Sequence, residues 1–318
     1  MEQSRKSYSG QYYLLAIAGT AAVFTIPSLP GGFFWFYFFT PLPVIYYLVS
    51  LGFDRGLKIV AYAALITGAL TLAIGNLQAL LFSFSLLPTG IMLARSINRQ
   101  ENIYRAGLTG IISLGLTWLA LGIIFSSISH VNLYTAILKD IDTGLTKAYE
   151  TYTKSPDFPV ESKAELQAVF TKMRQLVPRI FPGSLMVSAL CTVWLNMTLA
   201  NWLLKRQRIR VWDDFHLWRL PEPLIWLLIG GGLLLFAPGQ ILNTVGINVV
   251  LILGALHFFQ GLAVMASFME KWSVPRPIKF FIFFIITIQA YGIILLAFIG
   301  IVDIWADFRK LKSNDTEI

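Results

Sequence analysis

The sequence predicts an all-α fold: a polytopic bundle of about nine transmembrane helices with a small extracytoplasmic helical hairpin. Three observations predict it. Hydrophobic residues make up 56% of the 318-residue chain and charged residues only 13%, where soluble domains run near ~45–50% and ~25%. Apolar runs approaching the roughly 20 helical residues that a bilayer requires recur almost end to end. Lys and Arg fall between those runs, so the net charge of +8 reads as membrane topology, with the lipid bilayer as partner and no nucleic acid.

The apolar runs lie at 12–27, 33–52, 56–75, 78–94, 104–127, 181–203, 223–238, 243–269 and 280–302. Pro27-Ser28-Leu29-Pro30-Gly31-Gly32, Gly75-Asn76 and Ala237-Pro238-Gly239 are the breakers between some of them. Arg5 and Lys6 precede the first run as in a signal peptide, but no A-x-A-like site follows, so an uncleaved first helix is expected. Ala18 and Ala22 in that run, and Gly107, Gly110, Gly115 and Gly122 in the fifth, have the small-residue spacing that lets helices approach closely. Seven successive aromatics, Phe33–Phe39, suit an interfacial belt.

Charge in the connections sets the orientation, because loops rich in Lys and Arg stay on the cytoplasmic side. Arg5 and Lys6, Arg55 and Lys58, Arg95, Arg99 and Arg105, Lys205, Arg206, Arg208, Arg210 and Arg219, and Lys271, Arg276 and Lys279 occupy the N-terminal tail and every second connection. The first, third and seventh connections have none. The N-terminus is therefore expected in the cytoplasm. The resulting organisation is 1–127 as five spans, 128–180 as the outer hairpin, 181–203 as a sixth span, 204–222 as a basic cytoplasmic loop, 223–302 as three further spans and 303–318 as a polar tail. One conflict stays open. Nine crossings leave the tail outside although it carries Arg309, Lys310 and Lys312, so either the tail is translocated or one run is a hairpin or does not cross.

Residues 128–180 read as two amphipathic helices. Leu133, Ile137, Ile141, Leu145, Ala148 and Tyr152 recur at helical spacing, and so do Leu166, Val169, Phe170, Met173 and Leu176. Ser155-Pro156-Asp157-Phe158-Pro159 breaks between them, and Ser162 with Glu165 has capping-box spacing. Seven basic and six acidic residues nearly cancel. The segment is a packed hairpin, a lid or a partner-docking surface.

Catalytic and cofactor motifs are missing from the sequence. It has no G-x-x-x-x-G-K-[ST] for nucleotide phosphates, no H-E-x-x-H among His130, His216 and His257, and no G-x-S-x-G. A single cysteine, Cys191, completes no disulfide or Cys-rich metal site. No enzyme, metal or cofactor is expected. What the spans do contain is uncharged polarity: Ser184, Ser188, Thr192 and Asn196 recur every fourth residue, and His257 lies mid-span with Gln260, Gly254 and Gly261 beside it. In lipid such groups line a cavity or bond a neighbouring helix. Ser188, Thr192, Asn196, His257 and Gln260 are accordingly the candidate cavity residues. Lys205, Arg206, Arg208 and Arg210, followed by Trp212, Phe215 and Trp218, suit anionic headgroups.

Short motifs carry a resemblance. Thr40-Pro41-Leu42-Pro43, Leu51-Gly52 with Arg55-Gly56, Gly90 with Arg95, Gln260-Gly261, and Gly300-Ile301-Val302-Asp303 with Asp307-Phe308-Arg309 resemble the YybS-like family of bacterial membrane proteins of uncharacterised function. The first six spans are more distantly similar to the substrate-binding S-components of energy-coupling-factor transporters. That likeness implies docking on a membrane or ATPase partner complex through Ala18 and Ala22. The long fifth connection and the extra spans depart from the S-component plan. Two functions follow: a solute-binding or uptake subunit, or a non-transporting scaffold or assembly factor.

The charge alternation makes a direct prediction. A reporter active only outside the cytoplasm should be active when fused after Ser155 and silent after Arg208; the inverse pattern refutes the orientation.

Overall fold

The computed structural model describes residues 10–29, 31–154, 162–209 and 211–311, and among them there are helices and turns but no strand. The chain forms two compact units. One runs to His130 and adds Ala189–Trp212; the other takes Val131–Ser188 and the chain from Asp213 onward.

Every apolar run folds as helix, but not every one is a full span. Phe33–Ser50, Phe53–Ala73, Leu77–Asn98, Ile103–Ser129, Lys163–Arg206 and Gln240–Lys271 are long and apolar enough to cross a membrane, six segments, or seven if one bent pair counts as a span. The nine expected crossings are thus reduced for a stated reason in each case. Helix α1 (Gly10–Thr25) has 16 residues and the helix at Pro223–Leu234 has 12, short of the roughly 20 needed. The last run is two helices, Arg276–Ile288 and Ala290–Ala306, meeting at 104° where Gln289 takes an extended conformation.

In the first unit α1 is followed by a 3-10 segment over Phe33–Phe39 and by α2 (Pro41–Ser50), α3 (Phe53–Ala73), α4 (Leu77–Ser85), α5 (Leu87–Asn98) and α6 (Ile103–Ser129). The turn between α2 and α3 needs the left-handed backbone of Gly52, φ 84°. Asn76 caps α4 by accepting from the Ala79 amide at 3.1 Å, and Asn102 caps α6 by accepting from Arg105 at 2.9 Å. Close crossing of α2 with α3 and α5 depends on Gly56 and Gly90, where a Cβ would meet the Tyr47 carbonyl oxygen at 2.5 Å and the Val44 Cβ at 2.7 Å. Two buried hydroxyls bond across helices, Thr67 to the Ala21 carbonyl and Ser83 to the Phe24 carbonyl, both at 3.3 Å, as polar groups in lipid must. Of the glycines in α6, Gly110 packs tightly against Leu93 and Val193, Gly107 lies at ordinary contact distance from Met197 and Gly115 faces open space, so the expected packing row is confined to the first part of the helix. Much of α6 is exposed, including Leu108, Ile112, Leu116, Leu119 and Ile123.

The second unit contains α7 (Leu133–Thr153), the first part of α8 (Lys163–Arg206), α9 (Pro223–Leu234), α10 (Gln240–Lys271), α11 (Arg276–Ile288) and α12 (Ala290–Ala306). Helix α8 is 44 residues long with Pro178 and Pro182 inside it, so the second amphipathic helix and the sixth span are one uninterrupted rod, and the expected boundary at 180 is no break. The expected breaker at 155–159 lies outside the described residues. Arg174 Nε pairs with Asp142 at 2.9 Å, Tyr149 packs edge-on against Phe170, and the Tyr134 hydroxyl donates to the Pro178 carbonyl at 3.2 Å. These contacts zip α7 to α8.

The base of this hairpin is tied to the start of α10. Arg179 donates to Thr244 Oγ1 at 3.1 Å and to Asn243 Oδ1, while Asn248 donates to the Arg179 carbonyl at 2.7 Å and accepts from the Gly183 amide at 2.5 Å. At the other end of α10, His216 Nδ1 lies 3.0 Å from Glu270. Asn243 and Glu270 are separated by about 40 Å of helix at 1.5 Å per residue, more than the ~30 Å hydrocarbon core. The hairpin and the segment 213–222 therefore occupy opposite ends of the unit.

Helices α10 and α12 cross in direct backbone contact. A Cβ on Gly261 would collide with the Leu296 carbonyl, and one on Gly300 with the His257 carbonyl. Replacing either glycine by leucine should destabilise the protein by at least the ~1–3 kcal/mol typical of overpacking, read as a lower melting temperature in detergent. Gly115→Leu, at an open position, should leave it unchanged.

Candidate functional site: a buried polar clasp on the last helix

Asp303 ends the apolar stretch of α12, and the chain then turns back. Asp307 adopts a left-handed conformation, φ 42°, with its amide on the Asp303 carbonyl at 3.1 Å, which returns Arg309 toward the helix it has just left. Arg309 Nη2 lies 2.7 Å from Asp303 Oδ2, and both side chains are 1% exposed.

The pair is embedded in further polar contacts. Arg309 Nη1 donates to the carbonyls of His216 and Trp218, both at 2.8 Å. Gln260, fully buried on α10, donates to Asp303 Oδ2 at 3.0 Å and accepts from the Leu220 amide at 3.1 Å. Arg219 reaches the Ile304 carbonyl at 3.4 Å and Glu222 at 3.1 Å. Three buried atoms in the same unit stay without partners: Asp303 Oδ1, Arg309 Nε and His257 Nε2. Charges removed from water are tolerated when paired and hydrogen-bonded, and here the partners come from α10, α12 and the segment 213–222. The arrangement holds a loop. It offers no nucleophile beside a base, and among the described residues no group of three His, Cys, Asp or Glu is placed to bind a metal.

The residues of the clasp are those of the motifs quoted above: Gln260-Gly261, Gly300, Asp303 and Arg309. A family model described as a predicted membrane protein (DUF2232) matches residues 14–304. The chain belongs to this family. It is also 24% identical over 250 residues to the uncharacterized protein YybS of Bacillus subtilis (strain 168), a match covering 75% of this chain and 77% of that protein. No solved structure matches. The YybS-like resemblance is thereby established, while the S-component resemblance gains no support.

In this member of the DUF2232 family four of the five candidate cavity residues, Thr192, Asn196, His257 and Gln260, are buried among helices. Asn196 is buried in the first unit and its amide nitrogen donates to the carbonyls of Phe38 and Thr192, both at 2.6 Å. Thr192 is buried as well, and Ser188, which belongs to the second unit, is half-buried. His257 bonds the Leu253 carbonyl through Nδ1 at 2.7 Å, and the room that Gly261 leaves beside it is filled by the backbone of α12. Two shallow grooves, of about 370 and 350 Å³, are lined by Val23, Trp35, Phe36, Phe39, Leu42 and Pro43 in one case and by Tyr13, Ile17, Arg55, Lys58, Ile59 and Tyr62 in the other. Neither includes a candidate cavity residue.

Ala18 and Ala22 are exposed on α1, whose opposite side buries Ala16, Thr20, Ala21 and Phe24. Lys205, Arg206 and Arg208 are exposed, with Arg206 over the Trp202 ring at 3.7 Å; Arg210 lies outside the described residues. The aromatics that follow depart from the headgroup expectation. Trp212 is buried in the core of the first unit, its indole donating to the Glu101 carbonyl at 3.2 Å, and the Trp218 carbonyl belongs to the clasp. Asp303 and Arg309 stand in the quoted motifs and in the polar tail, and it is their pairing that sequence reasoning missed. The available signal was an acid inside Gly300-Ile301-Val302-Asp303-Ile304-Trp305, since an ionisable residue in an apolar helix needs a partner.

Asp303→Asn or Arg309→Met alone should each cost roughly 3–5 kcal/mol by leaving the other charge buried and unpaired. The double variant Asp303→Leu/Arg309→Met should recover much of that loss, and a thermal-melt double-mutant cycle measures the coupling. His257→Ala should lower thermal stability in the same assay without altering membrane insertion.

Proposed function

We propose that this protein is a non-enzymatic membrane scaffold or assembly factor of the bacterial cytoplasmic membrane, with the α7/α8 hairpin outside and the clasp end in the cytoplasm. The observation that carries this reading is an exposed apolar strip on the hairpin. Val169, Met173 and Leu176 lie one helical face apart on α8 and are all exposed, as is Tyr152 on α7. They stand among Lys172, Arg174 and Arg179, beyond the apolar span. Apolar side chains aligned in water mark a protein contact.

The candidate cavity residues support the same reading from the other side, since Asn196, His257 and Gln260 each bond a neighbouring backbone group. A solute-binding subunit needs a cavity with convergent polar groups; this protein carries its polar atoms inside and an apolar strip outside. The orientation rests on the positive-inside rule. It agrees with the clasp, which joins Arg309 to the segment 213–222 at the end of that unit opposite the hairpin, so Arg309 and Arg219 share an end.

Two measurements test this. A reporter fused after Lys310 should behave like one fused after Arg208, whereas nine full crossings would make it behave like one after Ser155. A photo-crosslinker at Met173 should give one discrete adduct in cells, abolished by Val169→Glu/Leu176→Glu while the purified protein keeps its melting temperature. Co-purification of an ATPase pair with a bound small molecule would overturn the scaffold reading.

A further inference from the structure

The first turn of α11 runs against local electrostatics. A helix N-terminus carries a partial positive charge and favours acids, yet α11 opens Arg276-Pro277-Ile278-Lys279 with no acid in its first turn and no side-chain cap at Pro275. Lys271 lies just before it, at the end of α10. Lys271 and Arg276 are exposed and Lys279 is half-buried. Among the described residues none of these three side chains has an ion-pair or hydrogen-bond partner, and the neighbouring acid, Glu270, is bonded to His216. Cations on a positive helix end are disfavoured there, and an anion beside them offsets that repulsion.

Past Lys279 the helix is apolar to Ile288 and barely covered. No residue of α11 is buried; Phe280 is 73% exposed and Phe281 62%, and Phe284 and Ile288 are exposed too. Phe280 and Phe284 stack with centroids 6.2 Å apart and planes 18° from parallel, a flat strip leading away from the cations. At 13 residues the helix is about 20 Å long, too short to cross a bilayer. Trp272, 70% exposed at the cationic end, is the residue type that settles at the membrane interface.

We propose that the end of α10 and α11 form a binding site for an anionic phospholipid. Lys271, Arg276 and Lys279 hold its phosphate, and an acyl chain lies along Phe280, Phe284 and Ile288. The continuity of the two parts selects a lipid over other anions: free phosphate would leave the aromatic strip uncovered, and the strip matches an apolar tail joined to an anionic head. Lys205, Arg206 and Arg208 belong to the other unit.

The test uses the full chain in nanodiscs of phosphatidylcholine alone or with phosphatidylglycerol, scored by retained lipid in native mass spectrometry and by melting temperature. Wild type should retain phosphatidylglycerol in preference and melt higher in its presence. Each cation removed in the series Lys271→Gln, Arg276→Gln, Lys279→Gln should weaken retention about fivefold. The equal-charge control Lys205→Gln/Arg206→Gln/Arg208→Gln should keep the preference. Phe280→Ala/Phe284→Ala, which leaves all charges in place, should shorten lipid residence. If the triple variant keeps the wild-type preference, or if inorganic phosphate in phosphatidylcholine discs raises the melting temperature as much as phosphatidylglycerol does, the site is not a lipid site.

Discussion

The second unit depends on one contact, the crossing of α10 and α12 at Gly261 and Gly300. Without side chains on either residue, the carbonyls of His257 and Leu296 face the other helix directly. That spacing brings Gln260 within hydrogen-bonding reach of Asp303. Everything polar at this end of the unit follows from it: the buried carboxylate needs Arg309, and Arg309 needs the carbonyls of His216 and Trp218. A crossing one side chain wider would take the Gln260 amide away from Asp303, and a buried carboxylate short of a hydrogen-bond partner is costly in an apolar setting.

The clasp also accounts for the shape of the last apolar run. A straight helix from Arg276 to Ala306 would carry its end away from the start of α11, with Arg309 on the far side of the bilayer. The 104° bend at Gln289 gives α12 a path back along α10, and the ion pair rewards that path by joining the tail to the segment 213–222. The bend leaves α11 with few neighbours, which is why its aromatic side chains and its cations are uncovered. Inside one unit, tight packing of one half-helix and bareness of the other are linked.

The first unit solves the same problem differently. Among its described residues no buried ion pair is found; Gly56 and Gly90 allow backbone approach, and Thr67, Ser83 and Asn196 bond carbonyls of neighbouring segments. Such bonds are individually modest in a membrane, since the alternative is an unsatisfied group that finds some other partner. Taken together they specify which helices are neighbours. Polar side chains in both units hold the fold.

Much of this architecture was legible from the residues alone. Composition and the length of the apolar runs determined a multi-pass all-α membrane protein, because a lipid-exposed backbone must bond itself and only helices do so over a single run. Periodicity determined that 133–152 and 166–176 are amphipathic helices. Span counting was less secure: hydropathy reports that a run is apolar, not whether it continues straight, so the bend at Gln289 and the shortness of α1 and α9 appeared only in three dimensions. The roles of the polar residues were likewise decided by the tertiary structure. A histidine beside two glycines reads as a cavity wall or as a crossing point, and only the tertiary structure brings the α12 backbone onto His257 at Gly300 while Gly254 faces open space. Asp303 and Arg309 lie six positions apart in what reads as a tail; the left-handed turn at Asp307 makes them a buried pair, and no local pattern encodes that the segment 213–222 is waiting on the other side.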